Sequence, residues 1–120
     1  MGCTSSHANT QFLNGKPTFK GDEVVKGFEK ENGLLFRIVK KGKKKRQTWA
    51  FYNDTKQYEM RVHVTFNAGC DIKALGETKL EEVEDKDEVI ATVTVQPGAT
   101  EMFIEGRVNG FRSKMDAFKI

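Results

Sequence analysis

The chain has 120 residues, of which 38% are hydrophobic and 31% charged, and its formal net charge is +3. That length is one domain's worth, the apolar share suits a single modest core, and the near balance of charge argues against a general polyanion binder. No stretch approaches the ~18 apolar residues of a membrane-spanning helix, the small polar residues after Met1 do not form a secretory leader, and two cysteines, Cys3 and Cys70, cannot build a disulfide framework.

Residues 1–15 are small and polar apart from Phe12 and Leu13 and read as a flexible tether. Residues 16–120 read as one β-domain. Leu34-Leu35-Phe36-Arg37-Ile38-Val39 and Gln47-Thr48-Trp49-Ala50-Phe51-Tyr52 are strand-like, and the basic run between them is the loop of a hairpin. The strongest period is at 58–66, where Tyr58, Met60, Val62, Val64 and Phe66 alternate with Glu59, Arg61, His63 and Thr65. The acidic stretch 77–88 is the one segment with a helical option. Strands follow at 88–95, 100–108 and 111–119, punctuated by Pro97-Gly98 and Asn109-Gly110. Asn-Gly suits a tight primed turn, so these three strands are expected to form an antiparallel meander. With seven or eight strands expected, the fold class is all-β, an antiparallel β-sandwich or small barrel.

Charge is unevenly placed. Lys40, Lys41, Lys43, Lys44, Lys45 and Arg46 put six positive charges into seven residues, while 77–88 holds seven acids against Lys79 and Lys86. A bipolar molecule with one strongly positive loop is expected. That loop has three readings: a solvated hairpin tip whose lysines deter edge pairing, a contact for anionic headgroups, or a nucleic-acid patch. The last conflicts with the amino terminus.

Met1-Gly2-Cys3-Thr4-Ser5-Ser6 fits the myristoylation acceptor pattern M-G-x-x-x-[ST], with Gly2 freed by loss of Met1 and Ser6 in the required place. Cys3 then stands where a membrane-docked chain presents a thiol for palmitoylation. One myristoyl chain gives an association constant of only about 10⁴ M⁻¹, so the second chain converts reversible into durable attachment. The six basic residues add on the order of 1 kcal/mol each near an anionic leaflet. The acyl pair dominates, and the loop tunes orientation.

Other constellations carry less. Cys70 with His63 and Asn67 has the residue types of a cysteine-protease triad, but His63 falls on the polar side of its strand and no helix is expected behind Cys70 to activate it. Catalytic residues are therefore expected to be none. His7, His63, Cys3 and Cys70 lack paired zinc spacing, and Asp85-Lys86-Asp87 lacks the calcium-loop glycine, so neither metal nor cofactor is expected. Asn53-Asp54-Thr55 matches a glycosylation acceptor that stays silent on a myristoylated chain. Trp49, Phe51, Tyr52 and Phe66 are read as core rather than a platform for bases.

Met1-Gly2-Cys3, the segment Trp49-Ala50-Phe51-Tyr52-Asn53-Asp54-Thr55 running into Tyr58-Glu59-Met60-Arg61-Val62, and the closing Asn109-Gly110-Phe111-Arg112-Ser113-Lys114-Met115-Asp116 resemble a family of calpain-related proteins of kinetoplastid parasites that lack the protease core. The likeness extends over almost all of 16–120. It implies a single β-rich domain, dual acylation, and residence on the cytoplasmic face of the flagellar membrane. The resulting expectation is a non-enzymatic, monomeric scaffold or membrane organiser. Its partners are membrane lipids through the acyl chains and anionic headgroups through the basic loop, with no nucleic acid. A fatty-acid-binding β-domain and a protein-interaction module are the alternatives.

Overall fold

Side chains spaced two apart with β-branched or aromatic character suit a pleated, half-buried surface, and wherever this spacing recurs the chain is extended. The computed structural model describes residues 12–27 and 34–120. They hold nine strands: β1 (Glu23–Lys26), β2 (Leu35–Lys41), β3 (Arg46–Asn53), β4 (Tyr58–Phe66), β5 (Asp71–Ala74), β6 (Lys79–Val83), β7 (Glu88–Val95), β8 (Thr100–Arg107) and β9 (Phe111–Lys119). A short 3₁₀ turn at Lys43–Lys45 joins β2 to β3.

Two antiparallel sheets result, one ordered β1-β2-β3-β8-β5 and the other β6-β7-β4-β9. Both keep free edges, so the fold is a sandwich and not a closed barrel. Between the sheets, β4 contributes Met60, Val62, Val64 and Phe66, β3 contributes Trp49 and Phe51, β7 contributes Ala91, Val93 and Val95, and β8 contributes Phe103 and Ile104. Rings meet rings: Phe51 lies edge-on to Phe103 with centroids 5.0 Å apart, and Trp49 edge-on to Phe111 at 4.9 Å. The register of β8 slips between Trp49 and Ala50 of its partner, and that bulge brings the consecutive Phe103 and Ile104 both into the interior. The four large aromatics expected in the core, Trp49, Phe51, Tyr52 and Phe66, are all at most 1% exposed.

Several expectations give way. The last three strands are not a meander, because β7 and β9 lie in one sheet and β8 in the other. Pro97-Gly98 and Asn109-Gly110 reverse the chain as turn residues should, yet each reversal carries it across the core. The reason is that β7 already has β4 and β6 on its two sides, whereas β8 fits between β3 and β5. The acidic stretch is strand and turn rather than helix: β6 pairs with β7, and residues 84–87 form the hairpin tip with Asp87 at φ 54°. Lys40, Lys41 and Arg46 belong to strands, leaving Gly42–Lys45 as the loop. The molecule is not bipolar, since the register puts the acidic turn and the basic hairpin at the same end of the sandwich, on opposite sheets.

Candidate functional site

The acylation residues Gly2 and Cys3 lie outside the described residues, as do Thr4, Ser5, Ser6 and His7. What the structure does place is the chain that follows them. Residues 12–15, assigned above to the tether, are fastened to the body. Asp54, only 4% exposed at the end of β3, accepts hydrogen bonds from the backbone N–H of Leu13 through Oδ2 at 2.7 Å and of Asn14 through Oδ1 at 2.9 Å. The Asn14 side chain donates to the Asp54 carbonyl at 2.8 Å, and the Tyr52 hydroxyl donates to Oδ1 at 2.9 Å. Burial and the neighbouring carboxylate push the Tyr52 phenol up to about 12.

From this anchor residues 12–22 cross the outer face of the five-stranded sheet. Phe12 sits edge-on to both Phe36 and Tyr52, with centroids 4.9 and 5.2 Å away. The Thr18 N–H donates to Thr100 Oγ1, and Asp22 accepts the Lys41 N–H through Oδ2 at 2.7 Å. The strap thus covers a second, smaller apolar cluster of Phe36, Ile38 and Tyr52. Under it lies a cavity of about 350 Å³ walled by Phe12, Pro17, Phe19, Val24 and Ile38, with Lys16 among its lining residues.

The basic hairpin lies at the other end of β3. Lys40, Lys41, Lys43, Lys44 and Lys45 are exposed, and Arg46 pairs with Asp71 at 3.6 Å. Lys44 and Lys45 have φ of 58° and 63°, a left-handed backbone that favours glycine or asparagine. Lysine is a poor choice for such a turn on conformational grounds, so the loop geometry does not account for these charges.

The remaining candidates find structural roles. Asn53 is fully buried, donating from Nδ2 to the carbonyls of Tyr58 and Val95, and its Oδ1 accepts the Thr55 hydroxyl. The acceptor motif is therefore a corner that ties both sheets. Cys70 is half-buried and accepts the Asn109 N–H, while His63 points outward with Asn67 exposed in the following turn. The structure does not bring them together as a catalytic set. Among the described residues no cluster of three His, Cys, Asp or Glu could hold a metal ion, and no helix is long and apolar enough to cross a membrane.

One site escaped the sequence reading. Arg37 shares the inward face of β2 with Leu35 and Val39, where the sandwich is open between edge strands β1 and β9. Its guanidinium lies over Trp49 at 4.4 Å and Phe111 at 4.9 Å, and its buried Nε has no hydrogen-bond partner among the described residues. Burial lowers its pKa, against the smaller opposing pull of Glu23. The signal available was a lone charge at an inward position of an apolar run.

A two-sheet antiparallel sandwich strapped by its own amino-terminal segment is the class of protein these features define. The chain belongs to the family described as a domain of unknown function, DUF1935, which matches residues 12–120. Among solved structures it is similar to the NMR structure of SMP-1, the small myristoylated protein of Leishmania major, at 63% identity and a TM-score of 0.84, covering 98% of this chain and 86% of that one. A Leishmania major hypothetical protein is also similar, at 35% identity and a TM-score of 0.79, covering 91% of this chain and 92% of the other. A search of curated proteins finds no match.

Proposed function

We propose that this is a non-enzymatic protein of the cytoplasmic leaflet, myristoylated at Gly2 and palmitoylated at Cys3, residing at the flagellar membrane as a scaffold or organiser. The observation that carries the reading is the acceptor sequence Met1-Gly2-Cys3-Thr4-Ser5-Ser6 on a chain 63% identical to a protein named for its myristoyl group. The calpain-related resemblance belongs to the same reading. The basic hairpin supplies a second contact. Nine residues lie between Gly2 and Phe12, a stretch reaching at most about 36 Å from one to the other. The hairpin lies roughly 25 Å from the strap anchor along β3, so the acyl chains and the lysines can meet one bilayer together. Chain-borne charge at a strained turn supports that role.

The test is intact mass and fractionation from native cells. Native protein should carry both acyl increments and pellet with membranes. Gly2→Ala should release it to the soluble fraction, and Cys3→Ser should keep the myristoyl group yet lose flagellar enrichment. An unmodified Gly2 in native protein, or Gly2→Ala protein that still pellets, would abandon this reading.

A second reading, fatty-acid binding, is favoured by the apolar cavity under the strap. Unacylated chain titrated with a fatty acid should show saturable NMR shifts at Phe12, Phe19 and Ile38. Absence of saturable shifts there removes it.

A further inference from the structure

The observation left over is Arg37. A guanidinium taken out of water needs a counter-charge or a full set of hydrogen bonds, and structures almost always provide one. Here two aromatic faces, Trp49 and Phe111, hold it in place, while its Nε is buried without a partner among the described residues. Stacking fixes the orientation of the group but offers no acceptor to its N–H donors. The cleft beside it measures about 220 Å³ and is lined by Val25, Lys26, Gly27, Ser113 and Met115 as well as Arg37. It is open because β1 and β9 are edge strands facing each other across the sandwich with no strand between them.

We infer that this cleft is an oxyanion site that takes a phosphate monoester, with Arg37 as the oriented fork and Ser113, opposite the inward Val64 in the β4–β9 register, as the rim donor. A phosphate monoester, with roughly −1.5 to −2 charge at neutral pH and three acceptor oxygens, can satisfy the Arg37 N–H donors and the Ser113 hydroxyl together. An arginine presents N–H donors in a fixed plane, the geometry that recognises phosphate oxygens in pairs. The Gly27 N–H already donates to the Leu35 carbonyl, so the ligand's contacts fall to side chains. The site is separate from the basic hairpin, whose lysines are exposed. It is independent of acylation, so it stands or falls apart from the reading above.

The monoester can arrive as a soluble metabolite or as a lipid headgroup, and two probes separate the sources. The full unacylated chain is titrated with glycerol 3-phosphate at constant ionic strength, with the Arg37 side-chain Nε–Hε signal and the amides of Gly27, Ser113 and Met115 followed by NMR. Saturable shifts at these positions are expected, absent with chloride, and Ser113→Ala should weaken binding about tenfold by loss of one charge-assisted contact. Ser113 is exposed, so this variant folds even where Arg37→Met does not. Vesicles containing phosphatidic acid are then compared with vesicles containing phosphatidylserine. Preferential binding to phosphatidic acid, competed by glycerol 3-phosphate, assigns the headgroup source. Soluble binding without vesicle competition assigns the metabolite source, and either outcome supports the site. Two results overturn it: no saturable shift at Arg37, or shifts confined to residues 40–46.

Discussion

Asp54 accepts hydrogen bonds from Leu13, Asn14 and Tyr52, so one carboxylate joins the amino-terminal strap to the sheet it covers. Charged acceptors bind N–H and O–H donors more strongly than neutral ones. Asp54→Ala should therefore cost about 2–4 kcal/mol in urea unfolding and speed amide exchange at Leu13 and Asn14. Tyr52 adds a pH dependence. Its phenol is held neutral in the fold, up to about 12 against an ordinary 10.0. Both states are protonated below the unfolded value, so this contribution is intact there. It is lost as pH rises from 10.0 towards about 12, where the unfolded chain releases the proton first. Tyr52→Phe should remove that decline from the stability–pH curve between those values, at a cost of roughly 1 kcal/mol at neutral pH. None of this was readable from Phe12 and Leu13, two apolar residues alone in polar surroundings. Their meaning comes from partners some 40 positions away.

Among the elements, β4 and the β2–β3 hairpin were the most legible because their information is local: strict alternation in one, a loop between two apolar runs in the other. Sheet membership was not legible. A Pro-Gly or Asn-Gly turn encodes a reversal, whereas the sheet that receives the next strand depends on which edges remain open, a property of the whole assembly. The β8 strand shows the consequence at Gly106, which has φ of 147° and faces Ile72 across the β5–β8 ladder. A methyl group there would overlap the Asp71 carbonyl, so Gly106→Ala should destabilise by on the order of 3 kcal/mol and lower the thermal midpoint by well over ten degrees. The turn between β2 and β3 behaves oppositely. Lys44→Gly or Lys45→Gly relieves a left-handed lysine and should raise stability by ~0.5–1 kcal/mol in thermal melts while weakening attachment to anionic vesicles. A more stable variant that binds membrane less well would mark charge, rather than folding, as the reason for lysine there. Composition made this run visible in the sequence. Arg37 was hidden by the same measure, because a single charge in an apolar strand is distinguished only by the open edge above it.

At the scale of the molecule, the strap anchor and the basic hairpin occupy opposite ends of β3, and the acidic β6–β7 turn lies at the hairpin's end on the other sheet. An anionic bilayer would attract the basic hairpin and repel the acidic turn on the other sheet, so the sandwich should approach with its five-stranded sheet leading and the acidic turn held away. This orientation is electrostatic and therefore screened, with a Debye length falling from about 10 Å at 0.1 M salt to about 3 Å at 1 M. The acyl contribution is hydrophobic and persists in salt. Replacing Lys43, Lys44 and Lys45 by glutamine should accordingly lower the affinity of the acylated protein for anionic vesicles by about tenfold to a hundredfold at low salt. The difference should collapse at high salt, and neutral vesicles should not distinguish the two proteins. Vesicle flotation across a salt series measures each of these. A loss that persists at high salt would mean that the hairpin acts through shape or apolar contact, whereas no loss at low salt would leave the lysines as a solvated tip that only deters edge pairing.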